Sequence, residues 1–251
     1  MTKKIWITGA SSGIGKALAI KFAKEGWQVA ASARRENLLK ELNNTDNKIY
    51  PFPLDVKNSE KCKSVFKEII DKFGDVEVCV FCTGMHDPKS EKSLDLIKIK
   101  EIMDVNFFGT INSINSVYEY YKKKKSGHIS IVSSVAGYRG LPAGGAYCAS
   151  KAALTNYTES LYFDLKRFNI RVSLVSPGFI KTPMTDQNDF PMPMIKSPEF
   201  AAEEMYKGLT QSKTFEIHFP KSFTYIMKVL QIMPNWLYLK LVKKGMKLIG
   251  R

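Results

Sequence analysis

Lys4-Ile5-Trp6-Ile7-Thr8-Gly9-Ala10-Ser11-Ser12-Gly13-Ile14-Gly15 is the stretch on which the fold turns. An apolar run over Lys4–Thr8 enters a turn with glycines at 9, 13 and 15, and a helical pattern follows over Gly13–Glu25. Glycine there permits a tight turn, close backbone approach to a ligand, and close packing of helix on strand. The start of the helix supplies N–H donors and the positive end of its dipole. Gly9, Ser11, Ser12, Gly13, Ile14 and Gly15 therefore read as a cradle for a phosphate group.

Beyond this unit the alternation continues. Gln28–Ala33, Ile49–Leu54, Val76–Cys82, His128–Ser133 and Arg171–Ser176 read as further strands, and Phe215–Phe219 as a seventh at the edge. Their near-continuous apolar character fits buried parallel strands. Helical patterns separate them, near Glu36–Leu42, Ser59–Phe73, Leu94–Tyr121 and Ala146–Phe168. Another helix begins at Ser197-Pro198-Glu199, where Ser caps and Pro fills the first turn. Repeated βαβ units predict an α/β fold: a doubly wound, mainly parallel seven-stranded sheet with helices on both faces. A chain of 251 residues suits one such domain. Residues 1–219 are expected to form this nucleotide-binding domain, and 220–251 a basic amphipathic extension of it.

A second constellation is Tyr147-Cys148-Ala149-Ser150-Lys151, with Ser134 thirteen residues before the Tyr. On a helix, residues four apart share a face, so Tyr147 and Lys151 are neighbours. A tyrosine hydroxyl has an ordinary pKa of about 10. A nearby ammonium favours the phenolate and makes the proton easier to give. That is the chemistry of a proton donor to a carbonyl oxygen. Ser133 adjoins Ser134, but on a strand its side chain points to the other face.

Taken together, these segments identify the chain as similar to the short-chain dehydrogenase/reductase family in its single-domain, Rossmann-fold form. The resemblance runs over about residues 4–219 and is carried by Thr8–Gly15, Asp55-Val56, Asp104-Val105-Asn106-Phe107-Phe108-Gly109, Ser134, Tyr147, Lys151 and Pro177-Gly178 with Thr182. It implies a catalytic tetrad of Asn106, Ser134, Tyr147 and Lys151. Tyr147 is then the acid in reduction and the base in oxidation. Lys151 lowers its pKa and holds the nicotinamide ribose. Ser134 hydrogen-bonds the substrate oxygen, and Asn106 holds a water linking Lys151 to a proton relay. Asp55 and Val56 would contact adenine, Gly84 would allow approach to the ribose, and Pro177, Gly178, Ile180 and Thr182 would grip the nicotinamide. One departure stands out. The family has Asn-Asn-Ala-Gly after the fourth strand, whereas this chain has Phe81-Cys82-Thr83-Gly84. Cys82 replaces an Asn that ties neighbouring strands.

The end of strand two reads Ser32-Ala33-Arg34-Arg35. A carboxylate there would hydrogen-bond the ribose hydroxyls of NAD. Arginine suits a 2′-phosphate instead, so Arg34, with Arg35 beside it, predicts NADP(H).

The segment after Thr182, Pro183 to Ile195, is rich in Met, Phe and Pro. In relatives this stretch lies over the substrate, and its composition points to an apolar ketone or acyl-chain substrate. A reductase of carrier-bound 3-oxoacyl groups is an alternative. So is a non-catalytic nucleotide-sensing protein of the same fold, although no tetrad member is missing. Dimers or tetramers through 94–121 and 146–168 are implied by the resemblance.

Charge and cysteine usage bound the rest. The net charge is +14, and Ile217–Arg251 carries seven Lys/Arg and no Asp or Glu. Half of the net charge sits in this tail, with no nucleic-acid motif beside it. Phe223–Met233 is apolar but too short to span a bilayer. Pro234 interrupts it, and Asn235 is a candidate cap for a helix over Trp236–Ile249. In that helix Lys240, Lys243, Lys244 and Lys247 share one face, while Leu239, Val242, Met246 and Ile249 share another. Such a helix either lies on an anionic membrane surface or packs on protein. Lys122–Lys125 read as solvated cations at a helix end. Cys62, Cys79, Cys82 and Cys148 read as reduced thiols. With no signal-peptide pattern, the expected location is cytoplasmic, peripheral at a membrane if the tail binds lipid. His86, His128 and His218 are scattered, read as surface or loop-end residues, and predict no metal.

Overall fold

The computed structural model describes residues 2–88 and 93–248. Its strands are β1 (Lys4–Thr8), β2 (Gln28–Ala33), β3 (Ile49–Pro53), β4 (Val78–Phe81), β5 (His128–Val132), β6 (Arg171–Pro177) and β7 (Glu216–Phe219). They form one sheet in the order β3-β2-β1-β4-β5-β6-β7. Every neighbouring pair is parallel, so the sheet expected to be mainly parallel is wholly so. The helices are α1 (Gly13–Lys24), α2 (Glu36–Thr45), α3 (Ser59–Phe73), α4 (Leu96–Met103), α5 (Gly109–Lys124), α6 (Gly145–Lys166), α7 (Pro198–Thr210), α8 (Lys221–Ile232) and α9 (Asn235–Leu248).

The apolar runs are continuous because both faces of the sheet are covered. Along β1, Ile5 and Ile7 pack with Leu18 and Phe22 of α1 and Met205 of α7. Trp6 faces the opposite layer, 5.6 Å from the Phe66 ring of α3. Its indole Nε1 donates to Ser32 Oγ at 2.8 Å. Strand order reverses between β1 and β4, and a crevice opens there beyond the carboxyl ends of the strands.

The helix expected over Leu94–Tyr121 is not regular throughout. α4 and α5 are joined by a π-helical segment over Asp104–Phe108. Widened turns of this kind are rare and recur at functional sites. Here it carries the fully buried Asn106. Ser197 caps α7 as expected, accepting from Phe200 N.

Several sequence expectations are corrected. His128 is buried and its Nε2 lies 2.8 Å from Ser173 Oγ; burial holds its pKa down at about 3. His218 is also buried, with Nδ1 2.7 Å from Thr224 Oγ1. Both strand positions point inward, so neither histidine belongs to a loop end. Lys124 pairs with Asp75, and Lys122 lies 4.9 Å from the Tyr118 ring, so these two are not merely solvated. Asn235 does not cap α9. It is the first helical residue, and the Pro234 carbonyl accepts from Leu237 N and Tyr238 N.

The tail packs on its own domain at specific points. Phe223 and Met227 of α8 join Val135 and Tyr138 in a small core cluster. Tyr238 of α9 is buried and donates to the Gly140 carbonyl at 2.6 Å. Trp236 and Leu239 point outward. Of the expected seam, Leu239 is exposed, while Val242 and Met246 are half-buried, four and eight residues after the inner anchor Tyr238. Ile249 lies outside the described residues.

Candidate active site

The cleft at the strand reversal gathers residues that lie far apart in the chain, from Gly9 after β1 to Thr185 beyond β6. Its glycine turn depends on missing side chains. Gly9 has φ +71°, and a Cβ there would sit 2.7 Å from the Cys82 carbonyl oxygen. A Cβ on Gly15 would sit 2.3 Å from the Gly9 carbonyl oxygen. Ser11, Ser12, Gly13 and Ile14 complete this wall, and Gly13 approaches the Thr182 side chain across the cleft.

At the β2 end, Arg34 is exposed and lines the cleft. Arg35 folds back on the turn, its Nη2 donating to Ser11 Oγ and Ser12 Oγ at 2.8 Å each. The nearby Glu36 pairs with Lys40. Asp55 and Val56 form the adjoining wall. Asp55 Oδ1 accepts from Lys57 N.

Cys82, Thr83 and Gly84 follow β4 at the floor. At Cys82, Thr8 Oγ1 accepts from the backbone N at 3.2 Å and links the ends of β1 and β4. Thr83 Oγ1 is buried without a hydrogen-bond partner among the described residues. An orphaned hydroxyl in a cleft lining calls for a ligand group to satisfy it. With the glycine cradle and the α1 N-terminus, it makes the cleft fit for a dinucleotide. In the sequence no motif marks Thr83 apart from its place beside Gly84.

Ser134, Tyr147 and Lys151 meet at one end of this cleft. Ser134 follows β5, and its Oγ accepts from Ala136 N at 3.1 Å. Ser133 turns away and donates to the Lys151 carbonyl, as the strand alternation requires. Lys151 is buried; its Nζ donates to the Val132 carbonyl at 3.0 Å and lies 5.7 Å from the Tyr147 ring centre. Burial lowers the pKa of its ammonium to about 8. Asn106 stands behind this group instead of in the cleft lining. Its Oδ1 accepts from Met85 N at 2.7 Å, and its Nδ2 donates to the Met85 carbonyl and to Ser150 Oγ. Pro177, Gly178, Ile180 and Thr182 also line the cleft, and Ser134 Oγ donates to the Pro177 carbonyl at 3.4 Å.

A second, mostly apolar pocket opens from Ser134 and Tyr147. Leu141, Cys148, Phe179, Met184, Phe190 and Phe223 form much of its lining. Of the Met- and Phe-rich segment, Met184 and Phe190 reach this pocket. Met192 accepts from Asn188, and Met194 is 47% exposed. His86 sits in the segment after β4, as a loop-end reading expects, but it lines the pocket with its ring centre 4.7 Å from that of Tyr147. Its place two residues after Gly84 was the available signal.

Comparison with known proteins agrees with this geometry. The family model described as short chain dehydrogenase matches residues 3–191. An uncharacterized oxidoreductase of Myxococcus xanthus is 33% identical over 236 residues, covering 92% of this chain and 93% of that protein. A 3-oxoacyl-[acyl-carrier-protein] reductase of Thermotoga maritima is 37% identical over 190 residues, covering 72% of this chain and 75% of that protein. The solved structure of a short-chain dehydrogenase from Streptomyces avermitilis shares the fold, with a TM-score of 0.80 at 21% identity over 98% of this chain and 95% of that one. The chain belongs to the short-chain dehydrogenase family, whose members are oxidoreductases that bind NAD or NADP.

Proposed function

We propose that the protein is an NADPH-dependent reductase of an apolar ketone or acyl-chain carbonyl, or an alcohol dehydrogenase when run in reverse. The observation that carries this reading is the meeting of Ser134, Tyr147 and Lys151 where the nucleotide cleft opens into the apolar pocket. When bound, the nicotinamide supplies a hydride to the carbonyl carbon. Tyr147 gives its phenolic proton to the carbonyl oxygen, which Ser134 Oγ holds by a hydrogen bond. The Lys151 ammonium stabilises the phenolate left behind and returns a proton to it. Asn106 fixes the backbone at Met85 and the Ser150 hydroxyl behind Lys151.

Arg34 supports NADPH over NADH because no carboxylate stands at the β2 end to favour a ribose diol. The aromatic and thioether lining supports an apolar substrate. The Thermotoga maritima relative favours a second reading, in which the carbonyl is a 3-oxoacyl group on an acyl carrier protein. Phe108 and Phe163 are 54% and 72% exposed near the expected assembly helices, which supports a dimer or tetramer. A cytoplasmic location belongs to the same proposal. The test is NADPH consumption with a panel of ketones, aldehydes and 3-oxoacyl thioesters. Turnover of an apolar ketone supports the first reading, and turnover of carrier thioesters alone supports the second. No consumption with any member contradicts both.

A further inference from the structure

We propose that the outward face of α8 and α9 docks the protein on an anionic lipid surface. α8 buries Phe223, Thr224 and Met227 and leaves Tyr225, Ile226, Val229 and Ile232 between 49% and 84% exposed. Ile226, Val229 and Ile232 recur at helical spacing and run along one side. α9 buries Tyr238 and leaves Trp236 and Leu239 69% and 63% exposed. Lys240 and Lys243 stand four and seven residues after Trp236, on that same outward face. Ile232 and Trp236, both exposed, stand on either side of Met233 and Pro234, which join the two helices. Large exposed apolar patches with a charged rim mark interaction sites.

Charge identifies the occupant. Ile217–Arg251 contains no carboxylate side chain. Lys228 is paired with Glu216, but Lys221, Lys240, Lys243 and Lys244 are exposed and have no carboxylate partner among the described residues. A second copy docked face to face would set these lysines against themselves. A lipid headgroup layer offers the opposite charge, and the acyl layer beneath it accepts a row of apolar side chains without a shaped pocket. Trp236 has the amphipathic ring that favours this boundary. Among the described residues no helix is long and apolar enough to cross a membrane, so the contact lies along the surface.

The surface also reaches the substrate side of the molecule. Ser222 Oγ, at the start of α8, lies 3.5 Å from Met194 Sδ in the segment beside the apolar pocket. Phe223, the next residue, lines that pocket. Docking is independent of the reductase reading, because it requires neither cofactor nor turnover.

Tryptophan emission and vesicle flotation of the full chain test it. Trp6 and Trp27 are 0% and 7% exposed, so a vesicle-induced change reports on Trp236. The probe is phosphatidylcholine vesicles carrying about a third phosphatidylglycerol, at low salt. The expected results are a blue shift, co-flotation, and binding at least about tenfold weaker at about 0.5 M salt. Combined Lys240→Glu, Lys243→Glu and Lys244→Glu should weaken binding at least about tenfold at unchanged Tm. Trp236→Phe should remove the blue shift and keep most of the flotation. The proposal is overturned by folded protein that does not float, or by equal binding to phosphatidylcholine alone. It is also overturned if an acidic carrier protein binds these lysines while vesicles do not, or if Trp236→Ala dissolves an oligomer built on this face.

Discussion

The Lys151 ammonium lies 5.7 Å from the centre of the Tyr147 ring, on the same face of α6. The same ammonium is buried and held by the Val132 carbonyl. Placing a cation there is costly for the fold and useful for the chemistry proposed for Tyr147.

That cost can be measured. Burial lowers the Lys151 pKa from 10.5 to about 8. Between those values the unfolded chain holds a proton that the folded chain has released, so this residue makes stability rise with pH. Below about pH 8 the full penalty applies, on the order of 3 kcal/mol. Lys151→Met removes the penalty and loses one hydrogen bond, a net gain of about 1–2 kcal/mol. The variant should therefore melt higher than the unmodified protein at pH 7. The advantage should shrink toward pH 10.5, while turnover is lost. Thermal melts across pH check this, and a variant less stable at pH 7 contradicts it.

Cofactor choice rests on the β2 end. Arg35 is engaged with Ser11 and Ser12, whereas Arg34 lies exposed at the cleft. A charge-assisted contact from Arg34 to a 2′-phosphate is worth about 1.5–3 kcal/mol, or at least about tenfold in affinity. Arg34→Asp should weaken NADPH binding by that factor and spare NADH. Titrations with both nucleotides check this; equal affinity of the unmodified protein for the two contradicts it.

The glycine turn makes a steric prediction. A methyl group on Gly15 meets the Gly9 carbonyl at 2.3 Å, and that backbone cannot yield cheaply. Gly15→Ala should cost about 1–3 kcal/mol of stability and abolish nucleotide binding. Gly26→Ala is the contrast for close approach, since nothing lies within 4 Å of its Cβ position. Its φ of +84° makes any loss a matter of backbone strain alone, and nucleotide binding should survive.

Arg139 links the tail to the loop beside the apolar pocket. Its guanidinium donates to the Gln231 and Met233 carbonyls and to Asn235 Oδ1, and it stacks 4.2 Å from the Tyr238 ring centre. The neighbouring Leu141 lines the pocket. Arg139→Ala should lower stability by about 1–3 kcal/mol and raise KM for ketone more than it lowers kcat. A change in kcat alone contradicts this coupling.

Much of this architecture was legible in the chain because it is local. Apolar runs, glycine spacing and the Tyr147–Lys151 interval each operate within a few residues. What was not legible depends on contacts distant in sequence. His86 meets Tyr147 only after β4 and α6 converge. The π-helical segment that buries Asn106 has no distinct composition, because a widened turn is selected by its tertiary contacts with Met85 and Ser150. Leu239 of α9 points outward, and the inner anchor is a tyrosine, whose hydroxyl reaches the Gly140 carbonyl. Polarity placed it with neither the lysines nor the aliphatic side chains.

The central claim is that Tyr147 supplies the proton in carbonyl reduction. Tyr147→Phe keeps the ring and removes only the hydroxyl. The direct measurement is NADPH-dependent reduction of the best ketone by this variant, alongside its NADPH affinity. The account predicts turnover down by at least about a hundredfold, with affinity changed less than about threefold. Near-normal turnover with intact NADPH binding would contradict it.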